Sequence, residues 1–370
     1  MRIGIDIRSL IFTQAGISHN LYNLISYLSQ FPEDSQYFLF TSGRTNRSWP
    51  KNVKEIVIRW PHLSANMEKI WEEIFLPLGL IFKKIELFHG PRFMIPRACP
   101  CKTVVTIHDL GFKIMPECII NSAYIYFDSR TKLAVSKADR IIAVSENTKN
   151  DLIKLYNASE DKITVIHWGI DQSFQPCNDR SSIGRIKNKL GIDKEFILFV
   201  GTIEPRKNLV RLIKAFDKLK MKREYRLVIA GCKGWLYEEV FATVKELNME
   251  KDIIFTGYVH DNELPFLYSA AELFICPSLY EGFGLPVLEA MACGVSVVTS
   301  NVSSLPEVAG DAAILVDPYD VEAIAKAMEQ VLEDSNLRKE MIEKGFERAE
   351  KFSWQDTVKK TLDVYKQVCL

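Results

Sequence analysis

The sequence predicts an α/β protein built as two doubly wound parallel-sheet domains, and three observations carry that expectation. Short apolar runs of strand length alternate with helical apolar patterns from end to end, as they do where helices cover both faces of a parallel sheet. The 370 residues exceed what one hydrophobic core ordinarily supports, so two domains of common size are expected. A polar stretch over 172–194, broken by Pro176, Asn178, Ser181, Ser182 and Gly191, divides the strands into two sets and reads as the linker.

In the first half the strands fall at 3–7, 37–41, 55–60, 87–89, 103–108, 140–144 and 163–167. In the second they fall at 196–201, 226–231, 252–257, 273–277, 296–300 and 313–316. Helices are marked by apolar residues recurring at three and four, as in Leu209, Leu212, Ile213, Phe216 and Leu219 behind the cap candidate Asn208. Helical patterns over 321–333, 335–351 and 354–370 close the chain. The domains are accordingly placed at 1–175 and 195–350.

Composition narrows the function classes. Basic and acidic residues number 47 each, so the net charge offers nucleic acid or an anionic membrane no long-range attraction. The eight cysteines show no C-x-x-C and no Cys/His zinc spacing, and reduced, mostly buried thiols in a cytoplasmic protein are expected. No signal-peptide pattern opens the sequence, and the longest apolar run, 74–82, is about half the length of a membrane span.

The densest signal is Glu281-Gly-Phe-Gly-Leu-Pro-Val-Leu-Glu289. A strand closing by Ser278 leads into a loop over 279–284, and a helix opens near Leu285 with Pro286 in its first turn, where a missing N–H costs nothing. The N–H groups of Gly282, Phe283, Gly284 and Leu285, with the positive end of the helix dipole, then offer a diphosphate site that the glycines let a ligand approach closely. Glu281, in the loop, is placed to reach a sugar, and Glu289, one turn into the helix, to accept hydrogen bonds from ribose hydroxyls. Taken alone the two acids read as a loop acid and a solvated helix acid; the glycines and the Leu-Pro between them favour a sugar-nucleotide site.

This Glu-x7-Glu segment, together with Gly201-Thr-Ile-Glu-Pro-Arg-Lys-Asn208 after the first strand of the second half, resembles glycosyltransferase family 4, the retaining transferases of the GT-B fold. It is most similar to the bacterial mannosyltransferase-like branch, and the likeness extends over nearly the whole chain. The resemblance implies two Rossmann-like domains facing across a cleft, the first on the acceptor side and joined by the C-terminal helix 353–370, the second binding the nucleotide sugar. It also implies transfer of a hexose, mannose before others, from a GDP-sugar or a UDP-sugar to a hydroxyl of a glycan or lipid-linked acceptor in cell-surface polysaccharide synthesis. Attack is then from the front face, with the leaving phosphate itself accepting the acceptor's proton.

Ligands of open parallel sheets lie at the carboxyl ends of strands, so the loops there hold the remaining candidates. After the strand 196–201 stand Arg206 and Lys207, whose charge would stabilise a diphosphate more as the glycosidic bond breaks than before. By resemblance Lys207 is the family's phosphate lysine; the family's arginine more often stands earlier in the loop, where this chain has Thr202, and Arg206 is given its part. The strand 103–108 delivers His108 and Asp109 to its carboxyl end, and the resemblance places the histidine by the transferred sugar, with Asp109 to orient it. Gly16 opens an amphipathic helix carrying Leu21, Leu24, Ile25 and Leu28 and would present N–H groups to the donor, while Ala15 stands where family members often have a second glycine. The plainer readings are solvated loop cations for Arg206 and Lys207, a satisfied structural histidine for His108, a helix-face polar residue for His19 and a turn glycine for Gly16.

No D-x-D motif occurs, and His62, His89, His167 and His260 lack metal-ligand spacing. A metal-independent reaction without a cofactor is therefore expected, with Arg206, Lys207 and the helix dipole in the place of a cation. Aromatic and basic residues over 71–84 and 124–137 would suit a lipid-linked acceptor or peripheral contact at the inner face of a membrane; the plainer reading is core-facing helices with solvated cations. Three rivals stand beside the transferase. A sugar-nucleotide epimerase of the same architecture would form product without an acceptor. An inactive partner subunit would only bind nucleotide sugar or scaffold a glycan-assembly complex. A dinucleotide oxidoreductase lacks the G-x-G-x-x-G it needs after the first strand.

Overall fold

A computed structural model describes residues 1–12, 16–31, 35–60, 65–221 and 224–370; Ala15 and His62 lie outside the described residues. The chain forms two compact units. One comprises Met1–Leu110, Ser122–Gly169 and Ser353–Leu370, the other Gly111–Asn121 and Ile170–Phe352.

The first unit is built on β1 (Arg2–Asp6), β2 (Gln36–Thr41), β3 (Val53–Val57), β4 (Leu87–Gly90), β5 (Lys102–Ile107), β6 (Arg140–Ala143) and β7 (Ile163–Val165). They pair in parallel in the order β3-β2-β1-β4-β5-β6-β7. Strands covered on both faces must be apolar along their length, and Ile3, Ile5, Leu87, Phe88, Val104, Val105 and Ile107 are fully buried. The helix Gly16–Leu28 buries Leu21, Leu24, Ile25 and Leu28, the stripe its spacing predicts. The helix Trp354–Cys369, capped by the Ser353 hydroxyl accepting from the Asp356 N–H at 3.1 Å, belongs to this unit. Its Tyr365 hydroxyl lies 2.6 Å from Nδ1 of His89 on β4, and Nε2 of His89 lies 2.8 Å from the Thr106 hydroxyl on β5.

Between β3 and β4 run a helix, Ala65–Ile70, a wide turn, Trp71–Phe75, and a second helix, Leu76–Phe82. Pro77 has no N–H for the carbonyl four residues back, and the helix widens just before it, Leu76 N–H reaching the Trp71 carbonyl. Trp71, Leu76 and Leu80 are core residues, as the plainer reading of this stretch holds; Ile74, Leu78, Ile81 and Phe82 are exposed. No helix among the described residues is long and apolar enough to cross a membrane.

The second unit is built on β8 (Glu195–Val200), β9 (Tyr225–Ala230), β10 (Ile253–Gly257), β11 (Leu273–Cys276), β12 (Val297–Ser300) and β13 (Ala313–Val316). All are parallel, in the order β10-β9-β8-β11-β12-β13, the doubly wound arrangement. The helix Leu209–Asp217 presses Leu209, Leu212, Ile213 and Phe216 into a core shared with Phe199, Leu227, Ile229 and Met328. Every expected strand forms, most within a residue or two of its predicted ends, β3 starting two residues early.

Two expectations are corrected. The stretch 172–194 is not a plain linker: Asp179 caps a helix, Arg180–Leu190, by accepting from the Ser181 and Ser182 N–H groups, and Gly191 closes it at φ 70°. Of the residues that read as breakers, Ser181 and Ser182 stand in its first turn and Gly191 at its end, while Pro176 and Asn178 precede it. Asn208, expected to cap the helix Leu209–Asp217, sits at φ 62°, and its side chain makes no capping bond.

Residues 111–121 follow β5 directly but group with the second unit. This strap consists of a short helix, Gly111–Ile114, and a tight turn, Pro116–Cys118. It packs Met115 and Cys118 against Tyr280, and the Trp235 indole N–H donates to the Cys118 carbonyl at 2.5 Å.

Candidate functional site

In the second unit β8 and β11 are neighbours in the sheet although 72 residues of winding on the β9 side separate Val200 from Leu273, and ligands of open sheets bind outside the carboxyl ends of such strands. Two loops meet there, 201–208 after β8 and 277–284 after β11. Leu279 N–H donates to the Arg206 carbonyl at 2.8 Å. The buried Asn208 amide donates to the carbonyls of Pro277 at 2.9 Å and Pro318 at 2.7 Å, which is the work its side chain does instead of capping.

Glu281 is the centre of the loop pair. Its Oε1 accepts from Lys207 Nζ at 2.6 Å and the Ser278 hydroxyl at 2.7 Å, and its Oε2 from Arg206 Nη1 at 3.0 Å. Arg206 is also fixed by Glu204 Oε1, at 2.7 Å from Nη2, and by the Tyr280 carbonyl at 2.8 Å. Burial pushes the Glu281 carboxyl up, but Lys207 and then Arg206 outweigh it and hold the group at about 2, so it is ionised throughout the physiological range. Sequence reasoning sends Glu281 to a sugar and the two cations to a phosphate; in the structure the three are bonded to one another. Two acids, Glu204 and Glu281, balance two bases, Arg206 and Lys207, within one buried cluster.

The rest of the motif is held just as tightly. Gly284 has φ 101° and a Cβ there would stand 2.8 Å from Leu305 Cδ2, so only glycine fits the turn into the helix Leu285–Ala292. The Glu281 N–H donates to the Ser303 hydroxyl at 3.0 Å, and Ser304 Oγ lies 2.9 Å from the Glu281 carbonyl and 2.8 Å from that of Phe283. Ser303 itself holds φ 56°, a left-handed conformation that costs a non-glycine residue about 1–3 kcal/mol. Gly282 and Phe283 are buried beside this support, and Leu285 is half-buried. Glu289 is not a solvated helix acid: it is buried, and its Oε2 accepts from the Tyr268 hydroxyl at 2.9 Å.

In the first unit His108 directly follows β5. Its Nε2 lies 2.6 Å from the Pro91 carbonyl, which can only accept, so Nε2 carries the hydrogen and Nδ1 is an acceptor. Burial lowers the pKa, which keeps the ring neutral, and the ring stacks on Trp168 at 5.8 Å. Pro91 holds Nε2 of the ring, and the charge of the half-buried Asp109 raises the ring's pKa against the effect of burial. Gly16 is exposed at the start of its helix, and a Cβ there would meet nothing within 4 Å, so packing within the protein does not require glycine.

Sequence reasoning missed Glu204, Asn208's stapling role, Tyr268, Ser278, Ser303 and Ser304. The one signal available was the pair of serines before Leu305-Pro306, which repeats the small residue, Leu, Pro order of Gly284-Leu-Pro. It also missed a charged cluster in the first unit. Arg8 bonds Asp6 at 2.8 Å and Glu72 at 3.0 Å, Arg130 bonds Glu72 and Glu73, and Tyr126 donates to Glu72 at 3.0 Å. Among the described residues no group of three or more His, Cys, Asp or Glu is placed to hold a metal.

Two doubly wound parallel sheets of seven and six strands, the second with a cation cluster and a glycine-opened helix at its switch point, are the architecture of the GT-B fold. Residues 182–348 match the family model described as Glycosyl transferases group 1, and residues 15–174 that of Glycosyltransferase Family 4. O-antigen chain mannosyltransferase B of Escherichia coli is 36% identical over 282 residues, 76% of this chain and 74% of that protein. The serotype-specific mannosyltransferase WbdA of Escherichia coli is 33% identical over 264 residues, 70% of this chain but only 32% of that longer protein. HepE of Anabaena, solved in complex with UDP-glucose, superimposes with a TM-score of 0.80 at 16% identity, covering 99% of this chain and 100% of that one. The chain belongs to glycosyltransferase family 4.

Proposed function

We propose that this glycosyltransferase is a retaining, metal-independent enzyme that moves mannose from GDP-mannose to a hydroxyl of a glycan or glycolipid in cell-surface polysaccharide synthesis. The observation that carries the reading is the Glu281 cluster, an ionised carboxylate holding two cations in order beside the helix Leu285–Ala292. A donor diphosphate would take the N–H groups at the start of that helix and the charge of Lys207, with the ribose on Glu289. Negative charge grows on the leaving phosphate as the glycosidic bond breaks, and cations already positioned by Glu281 need little reorganisation to meet it. Arg206 and Lys207 thus supply what a divalent ion supplies elsewhere, in keeping with the absence of a D-x-D motif. His108, with Nδ1 free of the Pro91 bond, is suited to accept from a sugar hydroxyl. Among the described residues no group is an evident nucleophile, which favours front-face attack with the departing phosphate as base.

Mannose is favoured by the names of the E. coli relatives. A UDP-sugar is the alternative, which the UDP-glucose complex of HepE keeps in view. The reading extends to peripheral membrane contact, for which the exposed Ile74, Leu78, Ile81 and Phe82 beside Lys83 and Lys84 are the suited surface; failure to co-sediment with anionic vesicles would remove that extension alone.

The test of the donor site is thermal stabilisation by GDP, UDP, ADP and their sugar conjugates in the presence of a metal chelator. A shift with GDP and GDP-mannose that disappears in Glu289→Ala is expected. A shift with no nucleotide, or one that survives unchanged in that variant, would overturn the assignment.

A further inference from the structure

The second unit has another concavity beside the donor loops, a cavity of about 470 Å³, within the size range of small-ligand sites. Glu204 and Pro205 form part of its wall, and Glu117, with its neighbours on the strap 111–121, forms another part. Of the Glu281 cluster only Glu204 lines it; Arg206, Lys207 and Glu281 do not, so it adjoins the groups assigned to the donor without containing them.

Three of its five charged groups are unengaged, while Arg211 donates to the Asn208 side-chain oxygen at 3.0 Å and Glu204 is bound to Arg206. Lys214, Glu117 and Glu239 make no hydrogen bond or ion pair through their side chains with any described residue. With Arg211 they sum to zero, Glu204 being bound to Arg206. Tyr319, 58% exposed, gives the cavity a flat aromatic face, with the Arg211 guanidinium 5.2 Å over the ring. The remaining lining is largely aliphatic.

We propose that this cavity is an accessory saccharide site, holding sugar units of a glycan away from the reacting end. A pyranose has an apolar C–H face and a rim of hydroxyls that both donate and accept. A wall that combines the Tyr319 ring and aliphatic side chains with carboxylate, ammonium and guanidinium groups meets both needs, and its zero net charge gives no advantage to a phosphate or sulfate. A glycan held at a second point stays at high effective concentration between transfers. The inference rests on the proposed glycan-transferring function for its choice of ligand, and its test is independent of turnover.

Saturation-transfer NMR and calorimetry on the full chain, with a linear mannotetraose as probe and GDP at saturation, decide it. Tetraose binding that persists with GDP present and weakens at least tenfold in both Tyr319→Ala and Lys214→Ala, while GDP affinity stays at the wild-type value, is the expected result. No tetraose binding by the wild type, binding displaced by GDP, or unchanged binding in the two variants would overturn it. Failure of the wild type to bind GDP would instead strike the donor assignment and leave the tetraose arm to judge the cavity.

Discussion

The two units share one winding rule and handle charge in different ways. At the switch point of the second, two bases and two acids from adjacent short loops converge, and the central carboxylate is ionised. At the corresponding ends of β4 and β5 in the first stand imidazoles kept neutral by burial, His108 against Pro91 and Trp168, His89 between Thr106 and Tyr365. The first unit's buried charge sits instead on Arg8, Glu72 and Arg130, in contact with the hydroxyl of Tyr126. On the proposed function the second unit's cluster answers a change in ligand charge, whereas the first unit's cluster joins segments distant in sequence.

Replacing Glu281 by Ala should separate the two most sharply. Both cations lose their shared anion, and transfer is expected to fall by about a thousandfold or more, since even one oxyanion-type donor is worth about 10²–10³. Single-turnover rates would reveal it, and turnover near the wild-type value would end the idea that this cluster serves the reaction. Glu72→Gln is the matching change in the first unit. It removes the negative charge that Arg8 and Arg130 share and should cost about 3–5 kcal/mol in urea unfolding, with GDP affinity unaltered. A loss of GDP affinity there would collapse the contrast.

Acid gives the smallest and most informative effect. His89 is lowered from 6.5 to about 3 by burial and then by His108, so the unfolded chain takes up its proton first and the stability it contributes drains away as pH falls below 6.5. Glu281 is depressed from 4.5 to about 2, so its contribution is whole above 4.5 and is lost only as pH falls from there. Amide hydrogen exchange from pH 7 to 4 should therefore show β4 and β5 losing protection before β8 and β11. Simultaneous loss would mean that neither group governs its unit.

The sequence made the second unit's site legible because its partners lie in two short loops. The Glu281–Glu289 spacing and the Arg206-Lys207 pair survive as local patterns whatever the rest of the chain does. It left Glu72–Arg130 and His89–Tyr365 unread because those pairs are 58 and 276 residues apart and exist only once strand order is known. Glu289 was legible as a motif member, but its bond to Tyr268 depends on how the helices Leu264–Ser269 and Leu285–Ala292 pack. Asn208 and Asp179 show the same limit in small. Both residue types favour caps and turns, and only the backbone dihedral decides between them: φ −75° makes Asp179 a cap, while φ 62° turns the Asn208 amide onto two carbonyls.

The helix Trp354–Cys369 belongs to the unit that the first residues begin, and Tyr365 is its bond to β4. On a ribosome, therefore, the first half to emerge is the last to be finished. Residues 111–121 and 170–352, complete earlier, can close around β8 and β11 while the first unit's sheet waits for the helix Trp354–Cys369, a reversal of the usual order in which domains mature. A stalled or truncated chain lacking residues 353–370 would then be expected to carry a mature second unit beside an unfinished first one, marked for chaperone binding at the apolar face that the helix Trp354–Cys369 would have covered.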